Sequence, residues 1–129
     1  MIALMLLAAG AVVDTKAPYR VAIERIELDT SAVAAGACTT RALARAGRAT
    51  SYAIPDGVAV DWSVGALGLS GPNYLTIEFH EDAGKSYARV LYRRPYSAAS
   101  ATNITRNIAK TCFTNEWNRW AAGSGEKVL

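Results

Sequence analysis

At 129 residues, 51% of them hydrophobic and 19% charged, the chain is sized and composed for one globular domain with a modest core. Its net charge of +3 falls well short of the basic excess that a nucleic-acid surface needs, which removes nucleic acid from the expected partners. Arg outnumbers Lys ten to four, and with Ala the commonest residue this skew reflects a GC-rich coding sequence rather than a binding role.

The run from Met1 to Val13 carries no charge and is almost entirely apolar. A spanning helix needs roughly 18 such residues, so this run is too short to cross a bilayer, and no membrane span is expected. It fits the apolar core of a secretory signal peptide over 1–11, with Ala9-Gly10-Ala11 as the small-x-small cleavage pattern. No Lys or Arg precedes the run, as would follow from a true start lying farther upstream. The competing reading is a buried N-terminal strand or helix. No Cys follows Leu7-Ala8-Ala9, which disfavours a lipid anchor. The expected organisation is a single domain over 14–122, a flexible tail over 123–129, and a monomer in the periplasm or outside the cell.

After Pro18, Tyr19, Val21 and Ile23 alternate to one side, while Ile26 and Leu28 continue out of phase. A bulge near Glu24-Arg25 restores a single apolar face. Tyr19, Ala22, Ile23 and Ile26 also match helical spacing, but enrichment in Val and Ile decides for a strand. Asp29-Thr30-Ser31 then offers caps for a helix whose Ala-rich body runs from Ala32 to Ala46 and stops before Gly47. Ala35, Cys38, Ala42, Leu43 and Ala46 share one broad side, small enough to lie close on whatever the helix covers. Arg41, Arg45 and Arg48 line its margin. Thr50 to Ile54 reads as a short strand ended by the turn Pro55-Asp56-Gly57. Val58, Val60, Trp62 and Val64 then alternate along the next strand. Gly65 to Asn73 is Gly-rich and apolar, a mobile loop or a ligand-facing flap.

The strongest pattern is a hairpin from Tyr74 to Tyr92. Leu75, Ile77 and Phe79 form one apolar set, Ala88, Val90 and Tyr92 the other. A four-residue loop, Glu81 to Gly84 with Gly84 left-handed, keeps both sets on one face. It places Thr76 opposite Arg89, with Glu78 diagonal to it. Ser97 to Ser100 offers caps for a last helix running to about Trp120. Ala101, Ile104, Ile108 and Cys112 share one of its faces, Arg106 and Lys110 lie opposite, and Phe113, Trp117 and Trp120 form a second stripe. That helix therefore either kinks near Thr114-Asn115 or is wedged between two apolar surfaces.

The resulting order, β-α-β-β-β-α, implies an α+β fold: an antiparallel sheet of about four strands with two helices packed on one face. This order is similar to helix-over-sheet modules of bacterial envelope proteins, a likeness of fold that carries no function. Cys38 and Cys112 each sit towards the apolar side of one helix, so a disulfide between them would clamp both helices over the sheet. Such a bridge persists in an oxidising compartment and, closing so long a loop, contributes roughly 4 kcal/mol. The cysteine spacing does not suit a metal site and the single His cannot complete one, so neither metal nor other cofactor is expected.

Candidate chemistry is sparse. His80 is the only histidine, and any triad would have to use it, yet no Gly-x-Ser-x-Gly elbow accompanies it and both Cys are committed to the bridge. Asp56 and Asp61 have no partner carboxylate that sequence can place. His80, Arg89 and Arg93 mark a possible surface binding patch on the uncovered sheet face, with Arg94, Tyr74 and Tyr87 nearby and Thr76 and Glu78 making it mixed in character. Trp62, Trp117 and Trp120 mark a possible apolar-ligand groove between sheet and last helix, with core packing as the plainer reading. Asn103-Ile104-Thr105 matches a glycosylation acceptor by chance, inside a helix. The chain is thus expected to be a small exported non-enzymatic domain, an interaction or scaffold protein of the bacterial envelope or periplasm. Its partner would be another envelope protein; the alternative is a carrier of a small apolar ligand. A carrier requires an enclosed apolar cavity, an interaction domain a filled core with an exposed patch, and an enzyme His80 within reach of a nucleophile.

Overall fold

Alternation between apolar and polar residues builds most of the sheet. A computed structural model describes residues 19–63, 74–93 and 96–113, and the backbone of 121–122 and 127–128. The segment read as a signal peptide, the loop at 65–73, and Trp117 and Trp120 lie outside the described residues. In chain order the elements are β1 (Tyr19–Glu27), α1 (Ala32–Leu43), β2 (Arg48–Ile54), β3 (Gly57–Ser63), β4 (Leu75–Asp82), β5 (Lys85–Tyr92), α2 (Ala98–Cys112), β6 (Ala121–Ala122) and β7 (Lys127–Val128). The sheet runs β2-β3-β4-β5-β1-β6, with β7 also on β1, and every pair is antiparallel. The sheet has five principal strands where about four were expected, and β2 and β3 form a complete hairpin around Pro55-Asp56, from Ile54 opposite Gly57 to Arg48 opposite Ser63.

The β1 register shifts twice. Between Ile23 (opposite Val90) and Ile26 (opposite Ala88) lies the bulge expected at Glu24-Arg25, and a second shift falls between Val21 and Ile23. The bulges let Ala22, Ile23 and Ile26 all reach the core. In the β4–β5 hairpin both apolar sets face the core as expected, with Leu75 opposite Tyr92, Ile77 opposite Val90 and Phe79 opposite Ala88. The loop is shorter than expected. Asp82 pairs with Lys85, leaving Ala83 and Gly84 as a two-residue turn with φ of 53° and 79°. Left-handed backbone at both positions is the tight hairpin turn whose twist matches the strands. The register moves by two as a result: Glu78, not Thr76, stands opposite Arg89.

Both helices cover one face. Ser31 caps α1 by accepting from the Ala34 N–H, and Glu81, from the hairpin, accepts the Ala32 N–H at 2.9 Å. Ser97 caps α2 in the same way through Ser100. The α1 face buries Ala32, Ala35, Gly36, Thr39 and Leu43; the α2 face buries Ala101, Thr105, Ala109 and Cys112. Small residues bring the helices close to the strands. A Cβ added at Gly36 would fall 2.5 Å from a Val58 methyl. The larger side chains come from the sheet: Ile26, Val60, Leu75, Ile77, Phe79 and Val90.

Two helix ends differ from expectation. The α1 helix stops at Leu43 rather than Ala46, and a tight turn follows, with Arg45 and Ala46 N–H groups bonded three residues back. The α2 helix stops at Cys112 rather than near Trp120. There Phe113 leaves helical geometry (φ −122°, ψ −76°), packs edge-on to Phe79 at 5.3 Å, and accepts the Asp29 N–H with its carbonyl. Cys38 and Cys112 form a disulfide with Cα atoms 5.4 Å apart, joining α1 to α2. Within the stretch read as a tail, Lys127 and Val128 pair with Arg20 and Tyr19. Among the described residues no helix is long and apolar enough to cross a membrane.

Gly57, first in β3, lies against β4 so closely that a Cβ there would collide with the Phe79 carbonyl oxygen. Backbone cannot rotate away as a side chain can. Gly57→Ala is expected to destabilise the fold by about 3 kcal/mol, measured by urea unfolding. An unchanged midpoint would contradict the β3–β4 register.

Candidate functional site

Because side chains alternate across a strand, the residues interleaved with the core sets point away from the helices. On that face His80 stands opposite Tyr87 and Glu78 opposite Arg89, while on the other flank of β4 the neighbours are Gly57 and Ala59, which are small. The Tyr87 ring stacks beside His80 with centroids 4.9 Å apart, and the Arg25 guanidinium lies over Tyr87 at 3.9 Å. The β1 bulge is what turns Arg25 to this face. Arg25 Nε also donates to Glu27 at 2.8 Å.

His80 is held at both ring nitrogens. Nδ1 is 2.7 Å from Asp56 and Nε2 is 3.1 Å from Glu78. Only the doubly protonated ring donates to both carboxylates; the neutral ring donates to one and turns a lone pair to the other. Glu24, Arg25, Glu78, His80, Tyr87 and Arg89 line a shallow depression of about 330 Å³. In it the Nε of Arg89 is buried without a hydrogen-bond acceptor, its nearest carboxylate oxygen, on Glu24, standing 3.7 Å away. The Glu24 charge offsets part of the cost of desolvating this donor, which is about 1–3 kcal/mol for a buried group left unpaired.

The far end of the same face is built differently. Asp61 accepts from Thr76 at 2.6 Å and from Tyr52 at 3.1 Å, and Arg93 lies 4.6 Å over the Tyr19 ring. Between the two ends Val21, Ala59, Thr76 and Leu91 are buried, so the face is open only in part. Of the predicted patch, His80 and Arg89 come together, and Arg93 belongs to the second cluster. Trp62 is 3% exposed; its ring N–H donates to the Leu43 carbonyl at 3.0 Å, and its ring meets Tyr96 edge-on. It is a core residue.

Chemically, the depression offers cations, a stacked aromatic surface and fixed carboxylates. His80 has two carboxylates as partners, and no Ser, Thr or Cys among the described residues is hydrogen-bonded to it. No group of three metal-ligating side chains occurs among the described residues. Sequence reasoning did not place Arg25 or Glu24 at the site, and it set Asp56 aside as a carboxylate without a partner. The bulge pointed to the first two, and the Pro55-Asp56 turn at the strand end to the third, once the β3–β4 register is known.

Three tyrosines resist ionisation. Tyr52 is raised well above the ordinary phenol value by partial burial, then by the charge of Asp61 and the hydrogen bond to it. Tyr19 is raised by burial, with Asp61 adding to the effect and Thr76 and Arg93 opposing it; Tyr96 is raised by burial alone. The folded state therefore retains protons that the unfolded chain loses near pH 10. The stability these groups contribute is complete below about pH 10 and is lost as pH rises through the folded values. Urea unfolding is expected to show falling stability above about pH 10, with a shallower fall in Tyr52→Phe; equal slopes would contradict the Tyr52–Asp61 contact.

Compared with protein-family models, with curated proteins and with solved structures, the chain matches none.

Proposed function

We propose that the chain is a small exported, non-enzymatic interaction domain of the bacterial envelope or periplasm, and that it meets a protein partner through the depression around Tyr87. The observation that carries the reading is the preordered Arg25–Tyr87–His80 stack lining an open depression with Arg89 at its side. A partner carboxylate would pair with the part of the Arg89 side chain that stays accessible, and Arg and Tyr are among the residue types that most often anchor protein interfaces. The rings and charges are held by one another before binding, which lowers the entropy lost on association. The disulfide supports an address outside the reducing cytosol. The apolar-ligand alternative draws no support from Trp62, whose ring is committed to the core and to Leu43.

A photo-crosslinking residue at position 87, in protein expressed with its own N-terminal segment, tests this. A discrete adduct in the oxidising compartment is expected from position 87, none from Val33, which is 70% exposed on α1. The adduct should be lost in Arg89→Gln. Equal labelling from both positions, or none from position 87, would remove the proposal.

A further inference from the structure

The two faces of the molecule differ in charge. Neither α1 nor α2 contains an Asp or Glu, while the helical layer and its margin carry Arg41, Arg45, Arg48, Arg106 and Lys110. The described carboxylates fall instead on β1, β3, β4 and the turns. Where α1 and α2 are joined by the disulfide, a groove of about 350 Å³ lies between them. Arg41 and Arg45 line it from the α1 side, and Asn107 and Thr111, one turn apart, line it from α2. Its apolar part is the disulfide itself with Ala42 and Ile108. Among the described residues neither arginine has a carboxylate partner, and no carboxylate lines the groove.

We propose that this groove binds a small phosphate monoester, independently of the sheet-face site. Two guanidinium groups on one wall and an amide and a hydroxyl on the other offer donors to three oxygens, more than a carboxylate has. Arg matches phosphoryl geometry through paired N–H groups. The disulfide, Ala42 and Ile108 give the ester's organic part an apolar floor. The volume exceeds what inorganic phosphate alone would fill, so the organic part has room.

The test uses the intact oxidised protein and phenyl phosphate, with phenol and inorganic phosphate alongside, followed by titration of amide chemical shifts. Phenyl phosphate is expected to shift the amides of Asn107 to Thr111 at millimolar concentration, inorganic phosphate more weakly, and phenol not at all. Arg41→Gln and Arg45→Gln should each weaken binding about tenfold, the loss of one charge-assisted pair, while Arg106→Gln leaves it unchanged. Both arginines are exposed, and unchanged far-ultraviolet circular dichroism confirms that the variants fold. Vesicles of equal parts phosphatidylcholine and phosphatidic acid form a second arm. Sedimentation that depends on Arg41 and Arg45 but not Arg106 makes a lipid headgroup the source of the same monoester and supports the site. Absence of binding in both arms, or equal loss from Arg106→Gln, overturns it.

Discussion

The bond between Cys38 and Cys112 makes up for what the helix faces lack. The α1 surface buries one large side chain, Leu43, among Ala, Gly and Thr; the α2 surface buries only Ala, Thr and Cys, with Ile104 and Ile108 half-covered at its margin. Burying a Leu or Phe contributes about 1.5–3 kcal/mol, and an Ala much less. The sheet, with Phe79, Ile77, Leu75 and Ile26, supplies the apolar mass, but its helical cover is held by close approach more than by buried area. A covalent link between the two helices limits how far either can stray in the unfolded chain. It acts together with Phe113, which follows directly on Cys112 and packs on Phe79.

That arrangement decides where chemistry can sit. Small residues allow the helices to lie flat, so the space beneath them is filled, and Trp62 belongs to this filling. Polar groups are left to two surfaces: the sheet face away from the helices, where acids and cations interleave, and the outer side of the helical layer, where among the described residues cations stand without acids. On the sheet face the exposed ion pairs contribute little to stability singly. Their value lies in fixing Tyr87, His80 and Arg25 relative to one another.

The fold was legible where a pattern had one physical solution. Strict alternation through β4 and β5 admits a single face towards the core, and the phase slip between Ile23 and Ile26 requires a bulge. Cap residues within Asp29-Thr30-Ser31 and Ser97 to Ser100 located both helix starts, and Ser31 and Ser97 fill the role. What stayed hidden depended on contacts between distant residues. The hairpin loop could lose two residues without changing which face was apolar, so parity could not tell Thr76 from Glu78 as the neighbour of Arg89; the left-handed Ala83 decided it. Propensity carried α2 past its end because nothing local announces that Phe113 turns inward to Phe79. The site suffered most, since Asp56 lies in a turn, His80 and Arg25 lie on two different strands, and the three meet only through register.

Hydrogen exchange on the oxidised and the reduced protein tests the clamp most directly. Opening the Cys38–Cys112 bond should strip protection from the amides of α2 while β4 and β5 keep theirs. Protection of α2 that survives reduction unchanged would show that packing alone holds the helices, and would contradict a covalent clamp.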